Sequence, residues 1–266
     1  MQHLWQHKKI FGAILALFFV LTTILVRGFG FLGSDIAELE LLLGEMLDSG
    51  LGRLVGSVAI LSFVASDVTG APTEVASLYQ TILFVLFSLA VIYTLRQTQA
   101  ATTVRFKEAF YRSTYPLIPF LLVVFVIGLQ LIPVAVGSWL YALVVGTGIA
   151  VHLVEIVAWG IIFFLLALLS LYMLTSSLFA VYIVTLPDMT PLQALRSARE
   201  LVRFRRWTVL RKILFLPLML LLIGIVILLP VVMYATVLAA YVILLYALGA
   251  IIITHAYMYQ LYRELL

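Results

Sequence analysis

The sequence predicts an all-α polytopic membrane bundle: six transmembrane helices, both termini cytoplasmic, with amphipathic helices at the interface. Three observations lead there. Apolar residues make up 65% of the 266, charged residues only 11%, and the mean hydropathy is +1.21. Soluble domains run at roughly 45–50% apolar and about 25% charged, and a soluble globule needs far more polar surface than this chain offers. Six stretches approach the roughly 20 apolar residues that cross a hydrocarbon core of about 30 Å. The basic residues fall overwhelmingly in alternate connections. A net charge of +4 in a soluble chain would suggest nucleic acid; here the charges mark sidedness, and no nucleic-acid partner is expected. There are no cysteines, so disulfides, thiolate metal sites and cysteine nucleophiles are excluded.

The first span covers 10–26. Lys8 and Lys9 precede it, as in a signal peptide, but Val26-Arg27-Gly28-Phe29 is a poor cleavage site, so an uncleaved signal-anchor is expected. The second covers 75–95. The third covers 115–136 and is interrupted by Pro133. The fourth, 156–184, is the longest and is expected to tilt or overrun the bilayer. The fifth and sixth, 213–233 and 236–257, have almost no polar sequence between them. A single helix of that combined length would overrun the membrane about twofold, so Pro230 and Met233-Tyr234-Ala235-Thr236 are expected to form a hairpin. Residues 1–266 then form one integral membrane domain.

Orientation follows from Lys and Arg. Lys8 and Lys9 precede the first span. Arg96, Arg105, Lys107 and Arg112 separate the second from the third. Arg196, Arg199, Arg203, Arg205, Arg206, Arg211 and Lys212 separate the fourth from the fifth, and Arg263 lies in the tail. Only Arg27 and Arg53 fall on the opposite side, with Asp35, Glu38, Glu40, Glu45, Asp48, Asp67, Glu74 and Glu155. The positive-inside rule therefore places both termini in the cytoplasm. Trp5, Trp207, Tyr93, Tyr115 and Tyr257 near one interface, and Trp139, Tyr141 and Trp159 near the other, suit headgroup zones.

Two polar segments stand out. The outer segment 27–74 is expected to hold a helix at 35–48, with Asp35, Glu38, Glu45 and Asp48 on one arc and Ile36, Leu39, Leu43 and Met46 on another. The apolar, small-residue stretch 51–66 after it either lies in the interface or enters the bilayer as a re-entrant piece. This segment reads first as two helices covering the outer face of the bundle, with a gate or partner-binding cap as the alternative. In 187–212, Thr190, Pro191 and Gln193 match a helix start: a Thr cap, Pro at the first position, and Gln completing a capping box. On one continuous helix Arg196, Arg199, Arg203 and Arg206 fall within about 80° of one another. Ala194, Ala198, Leu201, Val202 and Phe204 face away, and Glu200 is spaced to pair with Arg196 and Arg203. Such a helix is expected to lie on the cytoplasmic leaflet, apolar face in the acyl boundary and guanidiniums at the phosphates. Each basic residue there contributes about 1 kcal/mol. The arginines carry three readings: topology determinants first, then a site for a lipid headgroup or phosphorylated substrate, or a dock for a cytoplasmic partner.

Part of the chain reads as a duplication, 75–136 and 156–233. Ser88-Leu-Ala-Val-Ile-Tyr-Thr-Leu95 resembles Phe179-Ala-Val-Tyr-Ile-Val-Thr-Leu186. Each is followed by a basic segment and then by a span containing Leu131-Ile132-Pro133-Val134 or Leu228-Leu229-Pro230-Val231. The unit is span, surface helix, span, and its symmetry axis would stand along the membrane normal. The span order and the run Met189-Thr-Pro-Leu-Gln-Ala-Leu-Arg-Ser-Ala-Arg-Glu-Leu-Val-Arg203, with Thr185-Leu-Pro-Asp-Met-Thr-Pro191 and Tyr259-Gln-Leu-Tyr-Arg-Glu-Leu-Leu266, resemble a group of bacterial six-span membrane proteins. That group includes the membrane domain joined to some glycerophosphodiester phosphodiesterases. The resemblance covers about residues 89–266 and implies a multi-pass protein of the bacterial cytoplasmic membrane. It implies no catalytic residue, because the soluble catalytic barrel of those enzymes has no counterpart in these 266 residues.

Chemistry-bearing motifs are few. No Walker loop, hydrolase elbow or dinucleotide fingerprint occurs. His152 and Glu155 form either a weak metal or proton site or a solvated loop pair; His255 is expected to pack inside the last span. Spans almost free of charge argue against a proton-coupled transporter. Ser170, Tyr172, Thr175, Ser176 and Ser177, with Gln130, serve either helix packing or a polar groove. No cofactor, metal or catalytic residue is expected. The chain reads as a non-enzymatic membrane protein, lipid-interacting or a permease-like accessory component, with anionic headgroups as its partners through Arg196, Arg199, Arg203 and Arg206. The alternatives are a structural or assembly subunit holding another protein, and a membrane-embedded enzyme acting on lipid phosphates, for which no base or metal cluster is visible.

Overall fold

A chain this apolar satisfies its backbone polar groups within helices when water is absent. The computed structural model describes residues 8–27, 74–99, 106–150, 152–234 and 236–266, and among them all regular structure is helical. α1 is Lys8–Thr22 and ends in a wider π-type turn, Thr23–Arg27. α2 is Glu74–Gln99, α3 Phe106–Ser113, α4 Leu117–Gln130, α5 Ile132–Gly146 and α6 Leu153–Ser177. α7 is the single turn Ala180–Ile183, followed by α8 Pro191–Val202, α9 Arg206–Tyr234 and α10 Thr236–Leu265. Six segments are long and apolar enough to cross a membrane: Lys9–Val26, Val75–Thr98, Leu117–Gly146, Leu153–Ile183, Arg206–Val231 and Tyr241–Leu265. The described residues are thus helical and hold six candidate spans, as the sequence predicts. The expected outer segment 27–74 lies outside the described residues apart from its ends.

Proline explains where the third span differs from expectation. Pro133 does not end it near residue 136; the helical path continues to Gly146. Leu131 alone interrupts α4 and α5, and its N–H still bonds to the Gly128 carbonyl at 3.0 Å. Pro133 then sits in the first turn of α5, where its missing N–H costs nothing. The next free donor, Val134 N–H, is met by Ser170 Oγ of α6 at 3.0 Å. α9 likewise runs unbroken through Pro217 and Pro230. Tyr234 and Thr236 belong to separate helices, in line with a boundary between the fifth and sixth spans.

The chain forms two compact units. One comprises Met1–Tyr115 with Leu214–Tyr259, the other Pro116–Ile213 with Gln260–Leu266. In the first, α1 packs on α2. Phe11, Ile14 and Phe18 on successive turns meet Leu83, Phe87, Ala90 and Val91, with Leu248 and Ile252 of α10 in the same cluster. Phe18 and Phe87 have ring centroids 4.9 Å apart and inclined by 56°, the tilted geometry that aromatic quadrupoles favour. Also in this unit Tyr246 donates its hydroxyl to the Leu220 carbonyl. It lies close over Gly224, where an added Cβ would stand 3.0 Å from the Tyr246 oxygen.

In the second unit α5 and α6 form an antiparallel pair. Gly137 allows the closest approach: a Cβ there would lie 3.1 Å from Leu166 Cδ1 and 3.3 Å from Phe163. Close packing through small residues is the usual basis of helix association in lipid. The α5 end is closed by Gly148 at φ +72, a left-handed conformation that glycine adopts without penalty. His152 precedes α6 and donates its backbone N–H to Glu155 Oε2 at 3.3 Å. The structure thus uses Glu155 to cap that helix start. Tyr262 of α10 stacks on Phe179 and Tyr182, at 6.4 and 6.5 Å between centroids. Lys212 pairs with Glu264 at 2.9 Å.

Candidate functional site: an arginine cleft

The site lies in the second unit and is built around α8. Asp188, at φ 57, turns the chain into the helix; Asp tolerates that region better than most residues. Thr190 then caps α8 as the sequence predicts. Its Oγ1 accepts from Gln193 N–H at 3.4 Å, and its own N–H donates to Gln193 Oε1 at 3.1 Å. Pro191 occupies the first turn.

One face of α8 is fully enclosed. Ala194, Ala198 and Val202 have 0% exposure, at a spacing of four that sets them above one another. The helix packs against α4, α6 and α7. This corrects one expectation: these three residues do not enter the acyl boundary but form the seam that fixes α8 to the unit. The seam holds because alanine side chains allow close helix approach. The apolar groups left exposed are Leu192, Phe204 and Trp207, at 68%, 89% and 79%.

The second correction concerns the arginines. α8 ends at Val202, so Arg206 is not on the same helix. Arg203 N–H bonds to the Glu200 carbonyl at 3.2 Å, and Arg205 N–H to the Val202 carbonyl at 3.0 Å. These bonds to the third preceding residue tighten the last turn, a common way for a helix to stop. Residues 203–205 form the turn and Arg206 opens α9. The four arginines nevertheless converge. Arg196, Arg199, Arg203 and Arg206, with Glu200, line one cleft of about 390 Å³. Glu200 is its single carboxylate, yet it makes no ion pair with either Arg196 or Arg203 within 4 Å. The expected pairing is therefore absent, and two of the guanidiniums lie against aromatic rings. The Arg203 Cζ stands 5.5 Å from the Phe204 ring centroid, and the Arg206 Cζ 4.6 Å from that of Tyr172. Cation–π contacts of this kind contribute about 0.5–1 kcal/mol at exposed sites. Arg206 Nε is buried and makes no hydrogen bond within the chain.

A second concavity, also about 390 Å³, is walled by Val126 of α4, Met173 of α6, and Leu192 and Leu195 of α8; Arg196, Arg199 and Arg206 line it too. Its polar lining is the hydroxyl cluster singled out in the sequence. Gln130 Nε2 donates to Ser177 Oγ at 2.7 Å, Ser176 donates to the Met173 carbonyl at 2.6 Å, and Tyr172 sits beneath Arg206. The other members pack: Ser170 accepts from Val134 and Thr175 donates to the Tyr172 carbonyl. Ser170 and Thr175 thus serve packing, while Gln130, Tyr172, Ser176 and Ser177 line the concavity. What the sequence does not show is that Gln130, Tyr172 and Met173 lie beside the arginines. They are distant along the chain, and only the α4–α6–α8 packing brings them together.

Among the described residues no three His, Asp or Glu side chains cluster as metal ligands. Comparison with known proteins returned no matching family model, no matching curated protein and no matching solved structure.

Proposed function

We propose that this chain is a non-enzymatic, multi-pass protein of the bacterial cytoplasmic membrane that holds an anionic lipid headgroup at the cytoplasmic leaflet. One observation carries the reading: four guanidiniums line a single cleft without a carboxylate partner. Arginine stays charged in proteins, and its planar fork matches phosphate. The cleft opens beside an apolar groove, which suits a ligand with a charged head and a hydrocarbon tail. The lining supplies one carboxylate and no histidine, too few groups for paired acid–base chemistry. Exposed Leu192, Phe204 and Trp207 agree with α8 lying in the interface, apolar edges in the acyl boundary. The resemblance to bacterial six-span proteins belongs to the same reading, as does the orientation with both termini in the cytoplasm.

The test is native mass spectrometry of the gently extracted protein. Anionic phospholipid should co-purify, and Arg196→Gln, Arg199→Gln and Arg203→Gln together should remove it. At about 1 kcal/mol per basic residue, the triple change lowers retention on the order of a hundredfold. Unchanged lipid content would overturn the proposal and favour a protein-docking role for the cleft. Sidedness is checked in the same chain, whose lack of cysteine gives a clean background. Single cysteines at Thr147 and Ser197 should react with a membrane-impermeant maleimide from opposite sides of the membrane.

A further inference from the structure

The two concavities meet at the same residues: Arg196, Arg199 and Arg206 line both. That junction is where a phosphate would meet an acyl chain. The charge of the site then selects among lipid phosphates. Four guanidiniums against Glu200 leave the cleft with three uncompensated positive charges. A phosphodiester brings one negative charge and one pair of free oxygens. A phosphate monoester brings about −1.5 to −2 at pH 7 and three acceptor oxygens. Three oxygens match three arginines, and the second charge matters most where surrounding apolar walls lower the effective dielectric. The groove walls Val126, Met173, Leu192 and Leu195 are apolar, and a volume of about 390 Å³ lies within the range of small-ligand pockets.

We propose that the site takes a lipid phosphate monoester, its phosphate held by Arg196, Arg199 and Arg206 and its chain laid along the groove between α4, α6 and α8. This rests on the anionic-lipid reading above and narrows it to one headgroup class. Arg203 and Glu200 line the arginine cleft but not the apolar groove. The charged and titratable groups around the phosphate are these two, the three arginines and Tyr172; the α4 side supplies Gln130, which is neutral. Arginine does not titrate in the working range. The phosphate does, with a second pKa close to 6, so selectivity for the monoester should fade as pH drops.

The experiment uses the full chain in phosphatidylcholine nanodiscs carrying equal mole fractions of phosphatidic acid, a monoester, or phosphatidylglycerol, a diester. Retained lipid is read by native mass spectrometry at pH 7.5 and 5.0. Phosphatidic acid should be retained at least about tenfold better at pH 7.5, as expected for an added charge-assisted interaction, and the preference should shrink severalfold at pH 5.0. The same pH dependence should persist in Glu200→Gln, which removes the one carboxylate. Glycerol 3-phosphate, the monoester without a chain, should compete only at concentrations at least about tenfold higher. Met173→Trp, which fills the groove, should lower phosphatidic acid retention and leave glycerol 3-phosphate competition unchanged. Equal retention of the two lipids, or a preference independent of pH, overturns the monoester assignment while leaving the anionic-lipid reading intact. Retention of neither lipid overturns that reading itself. Glycerol 3-phosphate competing as well as phosphatidic acid overturns the lipid source and assigns the site to a free phosphate ester.

Discussion

Ala198→Leu separates a shaped cleft from a merely basic surface. Ala198 is fully enclosed, as are Ala194 and Val202 one turn to either side. Leucine adds three carbons to a seam with no free volume, and overpacking of this kind costs about 1–3 kcal/mol. The strain is relieved by α8 moving off α4 and α6. That motion carries Arg196 and Arg199 away from Arg206, which stays over Tyr172 on the neighbouring helix. A charge-assisted hydrogen bond is worth about 1.5–3 kcal/mol, so losing two from a bound phosphate reduces retention by a hundredfold or more. The net charge of the segment is unchanged. Retained lipid is measured by native mass spectrometry, and stability by the thermal shift in tryptophan emission; Ala198→Val applies a smaller version of the same strain. Lower stability with unaltered lipid retention would refute the reasoning. It would mean that the arginines act as diffuse surface charge and that the seam does not position them.

Other substitutions probe the packing. Gly224→Ala should cost about 1 kcal/mol or less in the native sequence, because the new methyl crowds the hydroxyl that Tyr246 gives to Leu220. In Tyr246→Phe that oxygen is gone, but the ring carbons Cζ and Cε1 would still stand 3.1 and 3.2 Å from the new Cβ, so the cost should shrink, offset in part by the better helix propensity of alanine. Equal thermal shifts in both backgrounds would dismiss the contact. Gln130→Leu should leave stability unchanged or raise it. It gives up a hydrogen bond worth about 0.6 kcal/mol in a membrane bundle, but also removes Gln130 Oε1, which is buried without a partner in the chain. Ser177→Ala strands the Gln130 amide instead and should destabilise by about 1–3 kcal/mol. If Gln130→Leu proves the more damaging, the assignment of that pair is wrong. Lys212→Ala should shift the melting temperature little, since the Lys212–Glu264 pair is close to half exposed on both sides and exposed pairs contribute about 1 kcal/mol at most.

Different parts of this fold were legible to different degrees, for physical reasons. The spans could be read because hydropathy over 20 residues is a local sum, and each of the six candidate segments overlaps a stretch read from the sequence, though their ends differ. The start of α8 could be read because Thr190, Pro191 and Gln193 satisfy a helix end within four residues of one another. The ends of spans were harder. Pro133 looks like a terminator in sequence, yet in the first turn of α5 it removes a hydrogen bond that would not form anyway, and Ser170 on another helix supplies the missing acceptor. The role of the alanine face was also hidden. On a wheel, Ala194, Ala198 and Val202 look the same whether they meet lipid or protein, and only the positions of α4 and α6 decide between them.

The turn at 203–205 has the largest consequence for function. Had α8 continued through Arg206, its four arginines would form a convex stripe, with guanidiniums fanning outward along one edge. A stripe meets a flat headgroup surface and contacts several lipids weakly, each through one or two exposed bonds that salt screens readily. By stopping at Val202 and restarting at Arg206, the chain breaks the helix between the third and fourth arginine. Arg206 then lines one cleft together with Arg196, Arg199 and Arg203. Tyr172 beneath it, on a helix already locked to α8 by the alanine seam, keeps the guanidinium from swinging away. A cleft lined by several guanidiniums suits one phosphate better than a bilayer surface does, because their planar forks can converge on the same oxygens. The same four residues and the same total charge thus form a stripe or line a cleft according to whether two i-to-i−3 hydrogen bonds interrupt the helix.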